Sequence, residues 1–380
     1  MSLVVYSLIV LSILYFLFLA WCWTGWMRLK THSSTEIKSQ TFVTIIIPAR
    51  NEEAAIEHCL DDLIKQHYPA ALFEIIVVND SSTDNTAEVV ASFIRKHQTM
   101  FAIRLVEINE HAGTLYKKQA ITNAVHAANG KLIITTDADC SRNATWLSSI
   151  VSYYELHHPD MLCAPVVLDC NNTFFQKIQS LEFCGLISIA AGSIAMQHPI
   201  LCNGANLAFT KEIFLRVNGF EAADNTASGD DTQLMQKIAA ISPAGIHFLK
   251  SKDAIVHTQA AGSLHELFHQ RKRWASKIPV NMSRLTVIIA AIAYLLHISL
   301  LVTLFLIITT GLPASYFILP FAIKLCGELL LLGSATRFMN KQKMLWLLLP
   351  AELFYLFYIV IIGTLSPFGA YSWKGRTVSS

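Results

Sequence analysis

Two aspartates bracketing a small residue, Asp137-Ala138-Asp139, close an apolar run that begins at Leu132. Carboxylates at that spacing can hold a hard divalent cation together with phosphate oxygens, and such a cation offsets charge that builds on a departing diphosphate. A second acidic pair, Asp230-Asp231, follows Ser228-Gly229 and precedes an apolar-periodic stretch at 232–239. A carboxylate at a helix start beside an apolar pocket suits a general base; the same residues also suit an N-cap. Asp80 ends another apolar run and can accept hydrogen bonds from a nucleobase or ribose. Lys118, ahead of an apolar helix, has the reach for a phosphate. In Gln270-Arg271-Lys272-Arg273-Trp274 an arginine can take a diphosphate bidentately, and an indole offers a flat face. Cys202-Asn203-Gly204-Ala205-Asn206 supplies small residues that permit close approach of a ligand. Each piece alone is common; their order is what carries information.

These residues need elements that bring them together. Phe42–Ile47 is a continuous apolar run ended by Pro48, the pattern of a parallel strand buried on both faces. Asn51 or Arg50 then opens a helix with Glu52 and Glu53 in its first turn. Further strands are expected at 73–78, 101–107 and 131–136. Helices are expected at 84–97, capped by Ser82 or Thr83-Asp84, and at 115–128, ended by Gly130. Alternating strands and helices with short loops specify a doubly wound α/β domain. Ligands in such sheets sit beyond the carboxyl ends of the strands. Those ends carry Pro48, Arg50 and Glu52, then Asp80, then Asp137 and Asp139, so three polar clusters converge on one edge. Neither a GxGxxG nor a Walker motif is present, which leaves the common dinucleotide and P-loop readings without support.

The flanks are a different material. The chain of 380 residues is 53% hydrophobic and 15% charged, with a mean hydropathy of +0.44, too apolar for an ordinary soluble protein. Residues 3–22 are uncharged and long enough to span a bilayer, which takes about 20 residues. Trp21, Trp23 and Trp26 follow as an aromatic belt, with Arg28 and Lys30 as a positive flank. Further spans are expected near 285–309, 315–336 and 344–366. Basic clusters at Arg28–Lys38, Arg271–Arg284 and Arg337–Lys343 place these segments and the middle domain in the cytoplasm. Phe174–Met196 is apolar but carries Lys177 and Glu182 and is not counted as a span. Lys324 and Glu328, four apart in a span, can pair on one helix face. Leu264, Leu267, Phe268, Trp274 and Ile278 repeat at helical spacing with basic residues between them, an interfacial helix suited to anionic lipid. The eight cysteines (22, 59, 140, 163, 170, 184, 202 and 326) form no CxxC pair and no disulfide framework. A formal net charge of +2 lacks the concentrated basic footprint of a nucleic-acid binder.

Taken in order, IIIPARNEE, VVNDSSTDNT, the Lys118 helix, TTDADC, CNGANLAF, SGDD and QRKRW resemble a membrane-integrated, inverting family 2 glycosyltransferase with a GT-A fold. The resemblance covers about residues 42–274. It implies that Asp80 is the uridine-binding acid, with Asn79 replacing the first of two acids common in the family. It implies that Asp139 is the ligand of Mg2+ or Mn2+, with Asp137 toward ribose and metal. Asp231 resembles the catalytic base, with Asp230 in the place of a usual Glu. Gln270, Arg273 and Trp274 resemble the QxxRW signature of cellulose, chitin and hyaluronan synthases, which contacts the diphosphate and the acceptor sugar. Pro48, Arg50, Glu52, Lys118 and Asn206 are substrate-binding candidates on the same basis. The domain plan is an anchor at 1–26, a GT-A domain at 38–260, an interfacial helix at 261–284 and spans at 285–370. The expected partners are a nucleotide-diphosphate sugar, a lipid or lipid-linked glycan acceptor and membrane lipids, with no nucleic acid. The rivals are a processive polysaccharide synthase and a catalytically silent membrane scaffold.

Overall fold

The computed structural model describes residues 2–33, 40–108, 116–171, 173–220, 229–275, 283–366, 371–374 and 376–378. Along the chain run α1 (Ser2–Arg28), β1 (Val43–Ala49), α2 (Ile56–Ile64), β2 (Phe73–Asn79), α3 (Thr86–His97), β3 (Ala102–Glu107), α4 (Tyr116–Ala127) and β4 (Leu132–Thr135). Then follow β5 (Ser141–Arg142), α5 (Trp146–His157), β6 (Met161–Cys163), β7 (Val166–Asp169), α6 (Phe174–Ala195), β8 (Leu207–Thr210), α7 (Lys211–Arg216) and α8 (Asp230–Ile241). The chain continues with β9 (Ile246–Phe248), β10 (Val256–Gln259), α9 (Leu264–Ala275), α10 (Arg284–Thr310), α11 (Ser315–Phe338), α12 (Leu348–Leu365), β11 (Tyr371–Trp373) and β12 (Arg376–Val378). Ser228, Ile278 and the other residues of 276–282, and Lys38 lie outside the described residues, as does the Lys117 side chain.

The chain divides into two units. One holds Leu29–Asp169 and Gln197–Gln259. Its main sheet has seven strands in the order β3-β2-β1-β4-β8-β6-β9. β3, β2, β1 and β4 are parallel, which is the doubly wound half that the apolar runs predict. Every residue of β2 is buried, and β1 is buried save for a half-exposed Pro48, as strands covered on both faces must be. Beyond β4 the sheet turns mixed: β8 pairs antiparallel with both β4 and β6. A second sheet joins β5, β10 and β7.

The amino ends of the central strands are closed by a residue that the alternation rules do not anticipate. Glu74 of β2 is buried and accepts from Thr44 Oγ1 (2.7 Å), Asn129 N (2.7 Å), Asn129 Nδ2 (3.0 Å) and Arg104 Nη2 (2.8 Å). A buried carboxylate is tolerable only with such partners. Gly130 belongs to the same knot. The helix before it already ends at Ala127, so helix termination is not its main work. A Cβ there would lie 2.4 Å from Thr44 N and 2.7 Å from Thr44 Oγ1. Gly130→Ala is therefore expected to destabilise the fold by about 1–3 kcal/mol through overpacking, measurable as a lower unfolding midpoint.

The other unit gathers Met1–Arg28, Cys170–Met196 and Ala260–Ser380. The sequence runs the middle domain unbroken from 38 to 260; the structure takes Cys170–Met196 out of it and groups it with the terminal helices. Among the described residues, five helices are long and apolar enough to cross a membrane, and α6 is one of them, with the lowest mean hydropathy of the five, 1.4. The expected spans at the carboxyl side appear as α10, α11 and α12. Trp26 does not belong to an aromatic belt: it is 1% exposed and meets Phe338 edge-on at 5.6 Å. α1 and α6 approach through glycines. A Cβ on Gly25 would meet Gly192 O at 2.1 Å, and a Cβ on Gly192 would meet Cys22 O at 2.1 Å. Small residues allow such backbone contact between apolar helices. The Lys324–Glu328 pair forms as expected, at 2.6 Å. Glu352 of α12 also pairs with Lys324, and Tyr15 donates to Glu328 at 3.1 Å. Three helices thus meet at one buried ammonium.

Candidate active site

Register sets the first cluster. Ala49 of β1 stands beside Asn79 of β2, and Ile46 stands beside Thr135 of β4. Arg50, Asp80 and Asp137 therefore leave parallel strands at one edge of the sheet. Arg50 is buried, and its Nη1 donates to the carbonyls of Asp80 (2.6 Å) and Ser81 (2.9 Å). The guanidinium shapes the turn that holds Asp80, which is 2% exposed and whose own amide donates to Ala49 O at 2.8 Å. Asn79 has structural work at the same turn. Its Nδ2 donates to Glu107 Oε2 (2.7 Å), and its Oδ1 accepts from Ser82 Oγ (2.6 Å). An aspartate there would set two carboxylates against each other, which is a physical reason for the amide.

The helix expected to open at Asn51 starts later. Asn51 is left-handed, with φ 52, and its Oδ1 accepts from Thr83 N at 2.8 Å. The amides of Glu52 and Glu53 donate to Thr86 Oγ1 (2.8 Å) and Asp84 Oδ2 (3.1 Å). Glu53 returns the bond through Oε2, which accepts from Asn85 N at 2.9 Å. The two glutamates brace the loops after β1 and β2 against each other, and α2 begins only at Ile56. Asp84 ties the start of α3 by accepting from Thr86 N at 3.0 Å.

The second cluster follows β4. The ligand atoms of Asp137, Asp139 and Cys140 lie within 4.8 Å of one another, the two aspartates exposed and the cysteine buried. Burial, with Asp137 and Asp139 close by, pushes the Cys140 thiol above its usual range. The two exposed carboxylates supply the oxygen donors of this group. Oxygen donors of this kind fit Mg2+ or Mn2+ and not a thiophilic ion. Cys140 is a neighbour that sequence reasoning overlooked; its only signal is adjacency to Asp139.

The third cluster surrounds the start of α8. Here the acids lie inside the helix, after a left-handed Gly229 with φ 98, and not ahead of it as the sequence suggested. Asp231 Oδ2 accepts from Gly204 N (2.9 Å), and its Oδ1 accepts from Thr232 N (2.8 Å). The Gly204 carbonyl accepts from Thr135 Oγ1 at 2.9 Å, so a short chain of bonds links the Asp231 carboxylate to the end of β4. Asp230 stands 3.7 Å from Lys118 Nζ, and Lys118 also donates to Gln233 Oε1 at 3.2 Å. Lys118 is 5% exposed. Its ammonium bridges α4 and α8. Asn206 is likewise committed: Nδ2 donates to Pro165 O (2.8 Å) and Ala254 O (2.7 Å), while Oδ1 accepts from Trp146 Nε1 (3.0 Å). Both amide hydrogens are spent inside the protein, so Asn206 builds the floor of the loop and has no N–H for a ligand. Of the CNGAN stretch, the backbone amide of Gly204 is the group that reaches the acidic pair.

Gln270, Arg273 and Trp274 lie on α9, in the helical unit. Within that unit Arg271 is 4% and Lys272 7% exposed, so these cations are not presented to lipid headgroups as an interfacial helix would require. Arg271 Nη2 pairs with Glu182 Oε2 at 2.8 Å, and its guanidinium covers the Trp274 ring at 4.1 Å.

Comparison with known proteins bears on these clusters. The family model described as Glycosyl transferase family group 2 matches residues 132–368, and that of Glycosyl transferase family 2 matches residues 44–214. The probable glycosyltransferase YdaM of Bacillus subtilis is 27% identical over 238 residues, 61% of this chain and 54% of the relative. A dolichyl-phosphate beta-glucosyltransferase of Trichomonas vaginalis is 36% identical over 107 residues, 27% of this chain and 30% of the relative. This chain thus spans about half the length of the first relative and under a third of the second. A mannosyltransferase of Pyrobaculum calidifontis, solved with GDP-Man and Mn2+, superposes with a TM-score of 0.61 at 20% identity, over 93% of this chain and 98% of that one. The shared fold is GT-A, with one amino-terminal and about three carboxyl-terminal long apolar helices accompanying it.

Proposed function

We propose, from the premise that the chain belongs to glycosyl transferase family group 2, that it is an inverting transferase working at a membrane. It moves a sugar from a nucleotide-diphosphate sugar, a UDP-sugar on the strength of Asp80, to a lipid or lipid-linked acceptor at the cytoplasmic face. The observation that carries the reading is the Asp137–Asp139 carboxylate pair, focused within 4.8 Å at the carboxyl edge of the parallel strands. Support also comes from a relative named for a dolichyl-phosphate acceptor and from five helices of membrane-crossing length.

Asp80, held by the Arg50-braced turn, accepts from the nucleoside. Asp139 and Asp137 would hold the Mg2+ or Mn2+ whose charge offsets that of the diphosphate. Asp231 removes the proton from the acceptor hydroxyl, whose oxygen displaces the diphosphate from the anomeric carbon with inversion. Asp231 suits this task better than Asp230, because both its oxygens are already oriented by backbone N–H groups, while Asp230 Oδ1 is buried 3.7 Å from the Lys118 ammonium. Arg273 serves the departing diphosphate, and Gln270 and Trp274 serve the acceptor.

The test is transfer from radiolabelled nucleotide sugars to total lipid extract by the detergent-purified chain. Chelation by EDTA, or Asp139→Asn, should cut transfer on the order of 10²–10³-fold, since metal stabilisation is worth several kcal/mol. An organic-extractable product is expected. A high-mass, water-soluble ladder would move the assignment to a processive synthase. Transfer indifferent to EDTA and to Asp139→Asn would defeat the metal-dependent mechanism.

A further inference from the structure

Arg271 occupies a place that the QxxRW pattern leaves open, yet it makes more contacts to the motif than the pattern suggests. Nη1 donates to Gln270 Oε1 at 3.0 Å. Nη2 donates to Glu182 Oε2 of α6 at 2.8 Å. The guanidinium plane lies over the Trp274 ring at 4.1 Å. With 4% exposure, this cation is desolvated and its Nε has no hydrogen-bond partner among the described residues, so the two Nη bonds and a counter-charge are what make its burial tolerable. Glu182 supplies the charge. It also holds Arg271 well within its protonated range, against the burial that would otherwise lower it.

We infer that Arg271, anchored by Glu182, is the positioning residue that fixes Gln270 and Trp274 for the acceptor; the inference rests on the transferase reading above. The geometry demands a planar cation. One edge carries two donors to two different partners while the face stacks on an indole, which a guanidinium does and an ammonium cannot. The neighbouring residue of α6 contributes as well: the Phe183 ring lies 6.1 Å from that of Trp274. The indole is thus held by Arg271 on its face and by Phe183 beside it. Both attachments lead to adjacent residues of α6, which supports the motif together with Tyr355 and Tyr358 of α12, two other groups that face Arg271. Arg271 touches no reacting atom in this account; it acts through Gln270 and Trp274.

The experiment compares the wild type with Arg271→Lys and Glu182→Gln, each as the full chain in detergent. Two readouts are taken: acceptor-saturated kcat with donor KM, and the emission of Trp274, isolated as the difference from the Trp274→Phe form of each chain. Arg271→Lys keeps the charge but loses the plane, and Glu182→Gln keeps a hydrogen-bond acceptor but loses the counter-charge. Expected are a changed Trp274 emission in both and a kcat lower by about a hundredfold, the cost of a misplaced group remote from the chemistry, with donor KM within about twofold. Wild-type kcat in both variants, or an unchanged Trp274 emission, overturns the inference. A kcat that falls together with a large rise in donor KM also overturns it, because the defect would then lie in donor binding. A wild type inactive with every donor would sink the transferase reading instead, and a changed emission would still uphold the grip of Arg271 on Trp274.

Discussion

An Asp231→Asn chain is expected to bind its donor normally and to lose sugar transfer by about 10²–10⁴-fold, the share that general-base catalysis contributes. The geometry explains why the defect should be so confined. Each oxygen of Asp231 accepts one backbone N–H, from Gly204 and from Thr232, so the carboxylate is oriented before any substrate arrives. The asparagine keeps one acceptor and turns an NH2 toward the other amide, which leaves one bond unmade at a cost of about 1–3 kcal/mol. A modestly lower melting temperature should accompany the lost rate. Asp230→Asn should be milder in rate, because Asp230 faces Lys118 at 3.7 Å and its work is to hold α4 against α8. Initial rates at saturating donor, donor KM and thermal unfolding separate the two. A rate within tenfold of wild type for Asp231→Asn would place the base elsewhere.

Lys324→Met is expected to be the most destabilising single change in the helical unit, by about 3–5 kcal/mol, the cost of stripping one partner from a buried ion group. Lys324 is 1% exposed and faces Glu328 and Glu352. Without it, two carboxylates and Tyr15 share a low-dielectric site with no cation between them. Replacing the whole group, as Lys324→Met with Glu328→Gln and Glu352→Gln, should recover much of the loss, because no charge is then left uncompensated. Unfolding midpoints in detergent decide the matter. If the triple variant is no more stable than Lys324→Met alone, the charges hold the helices by some other route.

The central strands β1 and β2 were legible because they are buried on both faces, which writes unbroken apolar runs such as FVTIII into the chain, whereas β3 at the sheet edge mixes exposed and buried positions. Asp80, Asp137 and Asp139 were legible because a strand end fixes where its next residue lies. What sequence concealed are partnerships across long separations. Lys118 reads as a phosphate ligand until Gln233 and Asp230, more than a hundred residues on, claim its ammonium. Asn206 reads as a ligand contact until Pro165, Ala254 and Trp146 use up its amide. Arg271 and Lys272 read as cations for a lipid surface, since amphipathic spacing says nothing of a Glu182 that is 89 residues away. Phe174–Met196 reads as too charged for a span because of Lys177 and Glu182, although Glu182 turns inward to an ion pair with Arg271. Local pattern therefore found the elements and the strand-end acids, while the assignment of each polar side chain to ligand or to scaffold required the fold.

The glycine contact between α1 and α6 changes what the first helix is. Read as a sequence, it is a tether whose content is hydrophobicity, so any greasy helix of similar length would substitute. With Gly25 and Gly192 set backbone to backbone, and Trp26 sunk against Phe338, the helix is a keyed stave. α6, whose Glu182 and Phe183 hold the α9 motif, leans on it directly. Swapping α1 for a foreign membrane anchor would keep the protein at the bilayer and still take away the surface against which its own motif is aligned.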